Sequence, residues 1–247
     1  ELGVYTGKSL NYGGSLVRKQ ATGLGVAQSV LEWSKINQVD LKNKTFIIQG
    51  LGNVGYYAAK ELTNNYGMKM LGAGDHTGYI VNKEGLDTND VLTHIDNKNT
   101  LDTYNNDIVD KDTFFKTKCD VIIPSALQLQ ILKNEAENID CKVIVEGANG
   151  PIDSLADKIL FNKKIDVIPD IYANGGGVIV SYLEWLQNNS NEYLDEDVIM
   201  SKLNNRMHKT FTNLIQTKKQ YNCSYREAAY ILSLYRIENT YKSRGIL

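Results

Sequence analysis

Short apolar runs recur along this chain, and stretches with helix-like spacing separate them. Residues 15–37 set Leu16, Leu24, Ala27 and Leu31 at helical intervals, which predicts a first helix. Thr45-Phe46-Ile47-Ile48-Gln49 marks a strand over 44–49, followed by a glycine-rich turn and a helix to about Tyr66. A second strand, Met68-Lys69-Met70-Leu71-Gly72-Ala73-Gly74, ends at Asp75, and residues 78–82 form a short hairpin strand. Residues 86–97 suit an exposed helix, while 99–118 are polar and carry no clear period. Apolar strands then return at Asp120-Val121-Ile122-Ile123-Pro124, at Lys142-Val143-Ile144-Val145-Glu146 and at Asp166-Val167-Ile168-Pro169. Helices over 128–138 and 153–161 separate these strands. The remainder reads as long helices over 176–188, 195–219 and 224–243. The 195–219 segment is mostly polar, which predicts a solvent-facing or interface helix. Apolar strands alternating with helices predict a mainly parallel sheet covered on both faces.

Such a sheet binds ligands beyond the carboxyl ends of its strands. Gly50-Leu51-Gly52-Asn53-Val54-Gly55 stands at that position, between a strand and a helix. This is the strand, G-x-G-x-x-G turn and helix of a Rossmann-like, doubly wound α/β fold. Gly50 permits the tight turn, Gly52 lets the backbone approach a pyrophosphate, and Gly55 lets helix and strand pack closely. Unpaired N–H groups at the helix start favour phosphate. Asp75 lies 20 residues after Gly55. A carboxylate at that distance accepts hydrogen bonds from the adenosine ribose of NAD. Asp75-His76-Thr77-Gly78 contains no Arg or Lys, which favours NAD over NADP, although a histidine can also sit beside a phosphate. A second reading has Asp75 capping the turn before Gly78.

Composition narrows the classes. Among 247 residues, 27 are basic and 29 acidic, and the net charge of −2 argues against a nucleic-acid binder. No apolar run is long enough to span a bilayer, and none at the start resembles a signal peptide. Cys119, Cys141 and Cys223 form no CxxC pair, and they fit reduced thiols in a cytoplasmic protein. His76, His94 and His208 show no metal-ligand spacing with one another or with the cysteines.

Other positions admit two readings each. Arg18 and Thr22, four apart, project from one face of the first helix. Spacing alone equally fits a surface arginine and a threonine bonded to its own backbone. Asn174-Gly175-Gly176-Gly177 opens a helix carrying Val178 and Ser181 on one face. Three glycines at a helix start are costly to order, about 1 kcal/mol each relative to alanine in a helix interior, which points to close approach of a ligand or to a hinge. Asn174 can instead serve as an N-cap, and Ser181 can bond within its helix. Glu146-Gly147-Ala148-Asn149-Gly150 is either a tight turn or a cofactor contact at the same rim as Gly50.

Taken in order, these strings resemble the cofactor-binding domain of the glutamate dehydrogenase family. They are Thr6-Gly7-Lys8, Gly13-Gly14-Ser15 with Arg18 and Ala21-Thr22-Gly23, the 50–55 turn, residues 120–126, and Glu146 through Pro151. Residues 169–178 and Ser181-Tyr182-Leu183-Glu184-Trp185 complete the set. The Arg18/Thr22 string resembles the glutamate enzymes rather than those for leucine or phenylalanine. The resemblance implies that Thr22 and Asn174 hold the nicotinamide carboxamide, with Arg18 close by. It implies that Gly52, Asn53 and Val54 contact the pyrophosphate and Asp75 the ribose. Ser125 and Ala126 would line the adenosine side, Asn149 the nicotinamide ribose, and Val178 and Ser181 the glutamate side-chain carboxylate. Gly74 and Gly175 depart from the pattern, which expects a small hydroxyl residue and an alanine.

The resemblance further implies one dinucleotide-binding domain over 1–247, with its Rossmann core at about 40–175. The helices over 15–37 and 176–247 would pack on that core. A preceding domain would supply the lysines and the aspartate that act on L-glutamate and 2-oxoglutarate. The chain alone is therefore expected to bind NAD without turning over glutamate. Full-length relatives are expected to be homo-hexamers, and this piece a monomer or dimer whose last helix is frayed or displaced. A stand-alone sensing module and an NADP-dependent enzyme are the alternatives.

Overall fold

The computed structural model describes residues 2–104 and 107–246. Its strands are β1 (Thr45–Gln49), β2 (Lys69–Gly74), β3 (Tyr79–Val81), β4 (Ile108–Val109), β5 (Val121–Pro124), β6 (Val143–Val145) and β7 (Asp166–Ile168). Its α-helices are α1 (Ala21–Ile36), α2 (Asn53–Asn64), α3 (Thr88–Asp96), α4 (Lys111–Phe115) and α5 (Lys133–Asn138). They continue with α6 (Ser154–Asn162), α7 (Asp170–Ala173), α8 (Gly176–Ser190), α9 (Glu196–Tyr221) and α10 (Tyr225–Ser243).

The strands form one sheet in the order β4-β3-β2-β1-β5-β6-β7. β2, β1, β5, β6 and β7 run parallel, while β3 and β4 add antiparallel pairs at one edge. The strand order reverses between β1 and β5, which opens a crevice at their carboxyl ends. Side-chain alternation divides the core. Phe46, Ile48, Met70, Val121 and Ile123 face α1, α2 and α9. Ile47, Leu71, Ile122 and Ile144 face α4, α5 and α6. A mainly parallel, doubly wound α/β sheet is therefore what the apolar pattern predicts and what the chain forms.

Several local expectations differ. Residues 16–20 are turns, and 15 has no regular structure, because Val17 adopts φ 69° and interrupts the helical path. The strain, about 1–3 kcal/mol, is offset by burial of Val17 against Ala21, Val180 and Leu183. Only Lys133–Asn138 of the stretch 128–138 is helical. Leu129 lies at φ 55°, and Ile131 bridges to Ile152. The stretch 99–118 contains β4 and α4, with Asn105 and Asn106 outside the described residues. α9 is not simply solvent-facing. Ile199, Leu203, Met207, Phe211 and Leu214 form a buried stripe along it, and its polar residues turn outward. α10 is helical to Ser243, but its buried residues are Tyr225, Ala228 and Ala229.

α1 is buried around most of its circumference because small residues admit its neighbours. A Cβ on Gly23 would lie 2.5 Å from Val54 O of α2. Gly25 meets Gly176 of α8, where an added Cβ would come within 3.0 Å of the Gly176 Cα. A Cβ on Gly176 would overlap the carbonyl oxygen of Ala21, and one on Gly177 would overlap Thr22 Oγ1. The glycines opening α8 thus admit α1, and the close approach is between helices.

A buried ion pair and a partly buried ion-pair cluster tie distant segments together. Lys8 Nζ lies 2.8 Å from Glu184 Oε1, with side-chain exposures of 1% and 0%. The Gly7 and Lys8 backbone N–H groups also donate to that carboxylate. Arg226 donates to both Glu146 oxygens, at 3.0 and 2.7 Å, and to both Asp157 oxygens, at 3.1 and 3.2 Å. Burial works against the Arg226 charge, but these two carboxylates outweigh it and raise its pKa. The pair joins α10 to the end of β6. Breaking a buried pair strands one charge and costs about 3–5 kcal/mol.

Arg226→Leu should therefore lower stability by about that amount in urea unfolding, and the double change Glu146→Gln/Arg226→Met should recover most of it. Gly176→Ala should destabilise the chain by about 1–3 kcal/mol through overpacking against α1, read as a lower unfolding midpoint. Burial alone would raise the Glu184 pKa, but bonds from Lys8 and Gly7 hold it below the ordinary 4.5. A depressed folded pKa stabilises above that value and is lost as pH falls through it. Glu184→Gln should accordingly flatten the decline of stability below about pH 4.5, measured by denaturant midpoints across pH.

Candidate functional site

The turn after β1 brings three backbone segments into contact. Gly50 has φ 94°, and a Cβ there would stand 2.7 Å from Ala126 N, at the turn after β5. A Cβ on Gly55 would overlap Gly50 O. Ser125 Oγ lies 2.9 Å from both Gln49 O and Gly50 O, and its N–H donates to Gln49 O at 2.7 Å. The Ser125 hydroxyl is thereby committed to holding the two turns together. α2 begins at an exposed Gly52 with no capping side chain and no acid in its first turn. No described residue lies within 4 Å of a Cβ built on Gly52. Among the described residues no side chain caps the first N–H groups of α2, a fit for a pyrophosphate.

Two clefts meet at Ala126 and Leu127 to make one groove along the carboxyl rim. The first, about 790 Å³, is lined by Gly50, Gly52, Asp75, His76, Tyr79 and Gln130, among others. The second, about 730 Å³, is lined by Arg18, Thr22, Val54, Ser125, Asn149, Asn174 and Val178, among others. Most of the residues singled out in the sequence therefore converge on the groove. Asn53 is exposed at the α2 start but lines neither cleft, and Gly55 is buried in the turn. Ser181 acts through Arg18, whose Nε donates to its Oγ at 2.8 Å.

Position follows from fold rather than from a shared helix. Arg18 lies on the turn before α1, not on the helix with Thr22. α8 fixes that turn: Asn188 Nδ2 donates to Gly13 O at 2.8 Å and Gln187 Nε2 to Gly14 O at 3.2 Å. Asn174 Nδ2 donates to Asn149 Oδ1 at 2.7 Å, joining the rims after β6 and β7. Asn174 ends α7, and Gly175 is the N-cap of α8.

The Asp75 carboxylate accepts from Thr77 N at 2.7 Å and from Leu101 N at 2.9 Å. Burial works to raise its pKa, but these donors outweigh it and hold the group below its ordinary value. The turn-capping reading is thus realised, and Asp75 still lines the cleft with acceptor capacity left over. Glu146, at the foot of the 146–150 turn, is fully buried against Arg226 and does not reach the groove.

Sequence reasoning missed two residues that line the site and one that braces the fold behind it. Arg226 carries no local motif and is defined only by its distant partners. Tyr79 and Gln49 line the cleft beside Asp75. Gln49 is 2% exposed, and its Oε1 has no partner among the described residues. Such an orphan costs about 1–3 kcal/mol. A polar residue closing the run Phe46-Ile47-Ile48 was the available signal.

Among the described residues no helix is long and apolar enough to cross a membrane. The chain is 37% identical over 246 residues to the glutamate dehydrogenase of Thermotoga maritima, spanning 99% of this chain and 59% of that protein. It is 36% identical to a cryptic catabolic NAD-specific glutamate dehydrogenase of Bacillus subtilis, spanning 98% of this chain and 57% of that protein. The crystal structure of glutamate dehydrogenase from Peptoniphilus asaccharolyticus superposes with a TM-score of 0.85 at 31% identity. That match covers 99% of this chain and 58% of the other. A hetero-hexameric, leucine-bound glutamate dehydrogenase from Thermus thermophilus superposes at 0.90 and 26% identity, covering 98% and 57% of the two chains. The chain thus spans somewhat under three-fifths of the length of these relatives. The glutamate/leucine/phenylalanine/valine dehydrogenase family model matches residues 13–245, and with the groove at its switch point the chain belongs to that family.

Proposed function

We propose that this chain is the NAD-binding domain of a glutamate dehydrogenase, with all 247 residues forming one domain around a Rossmann core at about 40–175. The observation that carries this reading is the continuous groove, with an uncapped helix start at its centre and Asp75 at one end. Arg18, Thr22, Asn149 and Asn174 gather at the other end. A dinucleotide fits this order of groups. Gly52, Asn53 and Val54 take the pyrophosphate, and Asp75 takes the adenosine ribose. Gly50 and Gly55 shape the turn; Ala126 borders both clefts, and Ser125 lines the Arg18 cleft rather than the adenosine side where the resemblance puts it. Asn149 faces the nicotinamide ribose, and Thr22 and Asn174 hold the carboxamide. Arg18, aimed by Ser181, lies beside Val178 at the glutamate end.

Bound NAD supplies the hydride acceptor for oxidation of L-glutamate toward 2-oxoglutarate and ammonia. The residues of this chain orient the ring and form one wall of the substrate pocket. Arg18 is the single ionisable side chain lining the nicotinamide end among the described residues. Amino-acid oxidation needs a general base near Cα, and an arginine stays protonated. A second domain therefore supplies proton transfer. The exposed row Tyr230, Leu234, Ile237 and Tyr241 on α10 suits contact with such a domain or with neighbouring subunits of a hexamer.

Calorimetric titration should show NAD binding more tightly than NADP, because Asp75 repels a 2′-phosphate and the groove wall near it carries no Arg or Lys. Tighter NADP binding would assign His76 to that phosphate and overturn the preference. The purified 247-residue chain should yield no glutamate-dependent NADH in an absorbance assay, and sustained production would sink the assignment of proton transfer to another domain.

A further inference from the structure

Gly74 and Tyr79 face each other across the antiparallel β2–β3 pair. A Cβ on Gly74 would approach Tyr79 Cε1 to 2.6 Å, so the phenol ring occupies the space that any side chain at 74 would need. Buried Phe114 closes the other side of the ring, with centroids 4.7 Å apart. The ring is therefore fixed in place beside Asp75, lining the same cleft.

The hydroxyl is also oriented. Gln130 Nε2 donates to Gln128 O at 3.0 Å, which turns Gln130 Oε1 toward Gln49. Gln49 Nε2 donates to that oxygen at 2.8 Å and to Tyr79 Oη at 2.9 Å. Rotating the Gln49 amide would set two carbonyl oxygens against each other, so its orientation is determined by the relay. Both Gln49 amide hydrogens are thereby used, and the Tyr79 oxygen acts as an acceptor. Its own proton makes no hydrogen bond to a described residue and remains available to a group in the cleft.

We propose that Tyr79 is a cofactor-positioning residue that donates this hydrogen bond to the adenosine half of the dinucleotide, with Gln49 setting its direction. The assignment rests on the NAD reading above. Asp75 takes donors from the cofactor, and Tyr79 offers a donor to an acceptor on the same half, a ribose oxygen or an adenine ring nitrogen. The cleft thus reads the adenosine end with one group of each polarity.

The test is calorimetric titration of the full chain with ADP-ribose and, separately, with nicotinamide mononucleotide. Tyr79→Phe should weaken ADP-ribose about three- to tenfold and leave the mononucleotide within about twofold. Gln49→Met should weaken ADP-ribose in the same direction, and the losses should not add in Gln49→Met/Tyr79→Phe. Equal ADP-ribose affinity in wild type and Tyr79→Phe overturns the Tyr79 assignment alone. Parallel loss of both ligands also overturns it, because that marks a general structural effect. A wild-type chain that fails to bind ADP-ribose overturns the NAD reading, and the Tyr79 assignment with it.

Discussion

Three backbone segments approach one another where β1 ends, and the site depends on that approach. The turn at Gly50, the first turn of α2 at Gly55 and the turn after β5 at Ser125 and Ala126 come together with only the small Ser125 side chain between them. Ser125 stitches them by bonding the carbonyl oxygens of both Gln49 and Gly50. The contact occurs where the strand order reverses, so it brings the open start of α2 up against the crevice. Side chains at 50 or 55 would force these segments apart, and the first N–H groups of α2 would no longer face the groove.

The Arg18 end of the groove depends on a second close approach, between α1 and α8. Gly25 and Gly176 pass backbone against backbone, and Gly177 leaves room for the Thr22 hydroxyl. The polypeptide before α1 is pinned to α8 by Asn188 and Gln187, and farther upstream by the Lys8–Glu184 pair. Arg18 reaches the groove because of these long-range ties, although it lies outside a helix. Its bond to Ser181 then fixes its direction. Packing thus supplies a precision that helical spacing could not.

Charge is distributed in the same spirit. The paired charges, fully buried Glu146 with half-buried Arg226 and Lys8 with Glu184, hold elements together away from the groove. Removing such charges from water is costly, and mutual pairing with several hydrogen bonds offsets that cost. The groove itself is lined mainly by small, amide and hydroxyl groups, with Asp75 and Arg18 toward opposite ends. The pairing of Gly74 with Tyr79 extends this logic: space given up at one position is filled by a ring whose hydroxyl is aimed by its neighbours.

Much of the fold was legible in the chain. Alternation of apolar strands with helices marked the parallel sheet, because a strand buried on both faces must be apolar along its length. The glycine spacing marked the turn, because only a residue without Cβ fits where backbones touch. The family resemblance drew Thr22, Asn149 and Asn174 to one end, and the fold gathers them there. Short elements such as β4 and α7 were not legible, since a few residues carry no measurable period. The helical reading of 15–20 failed because Val17 takes a positive φ, a conformation offset by its burial against Ala21, Val180 and Leu183. By itself, then, the sequence determined the strand pattern, the dinucleotide-type turn and the family, all of which reside in local spacing. Tertiary structure alone decided that Arg226 holds Glu146, that Ser181 aims Arg18, and that Gln49 aims Tyr79. Those partners lie 80, 163 and 30 residues apart, and only packing of the sheet and its helices brings them within hydrogen-bond reach.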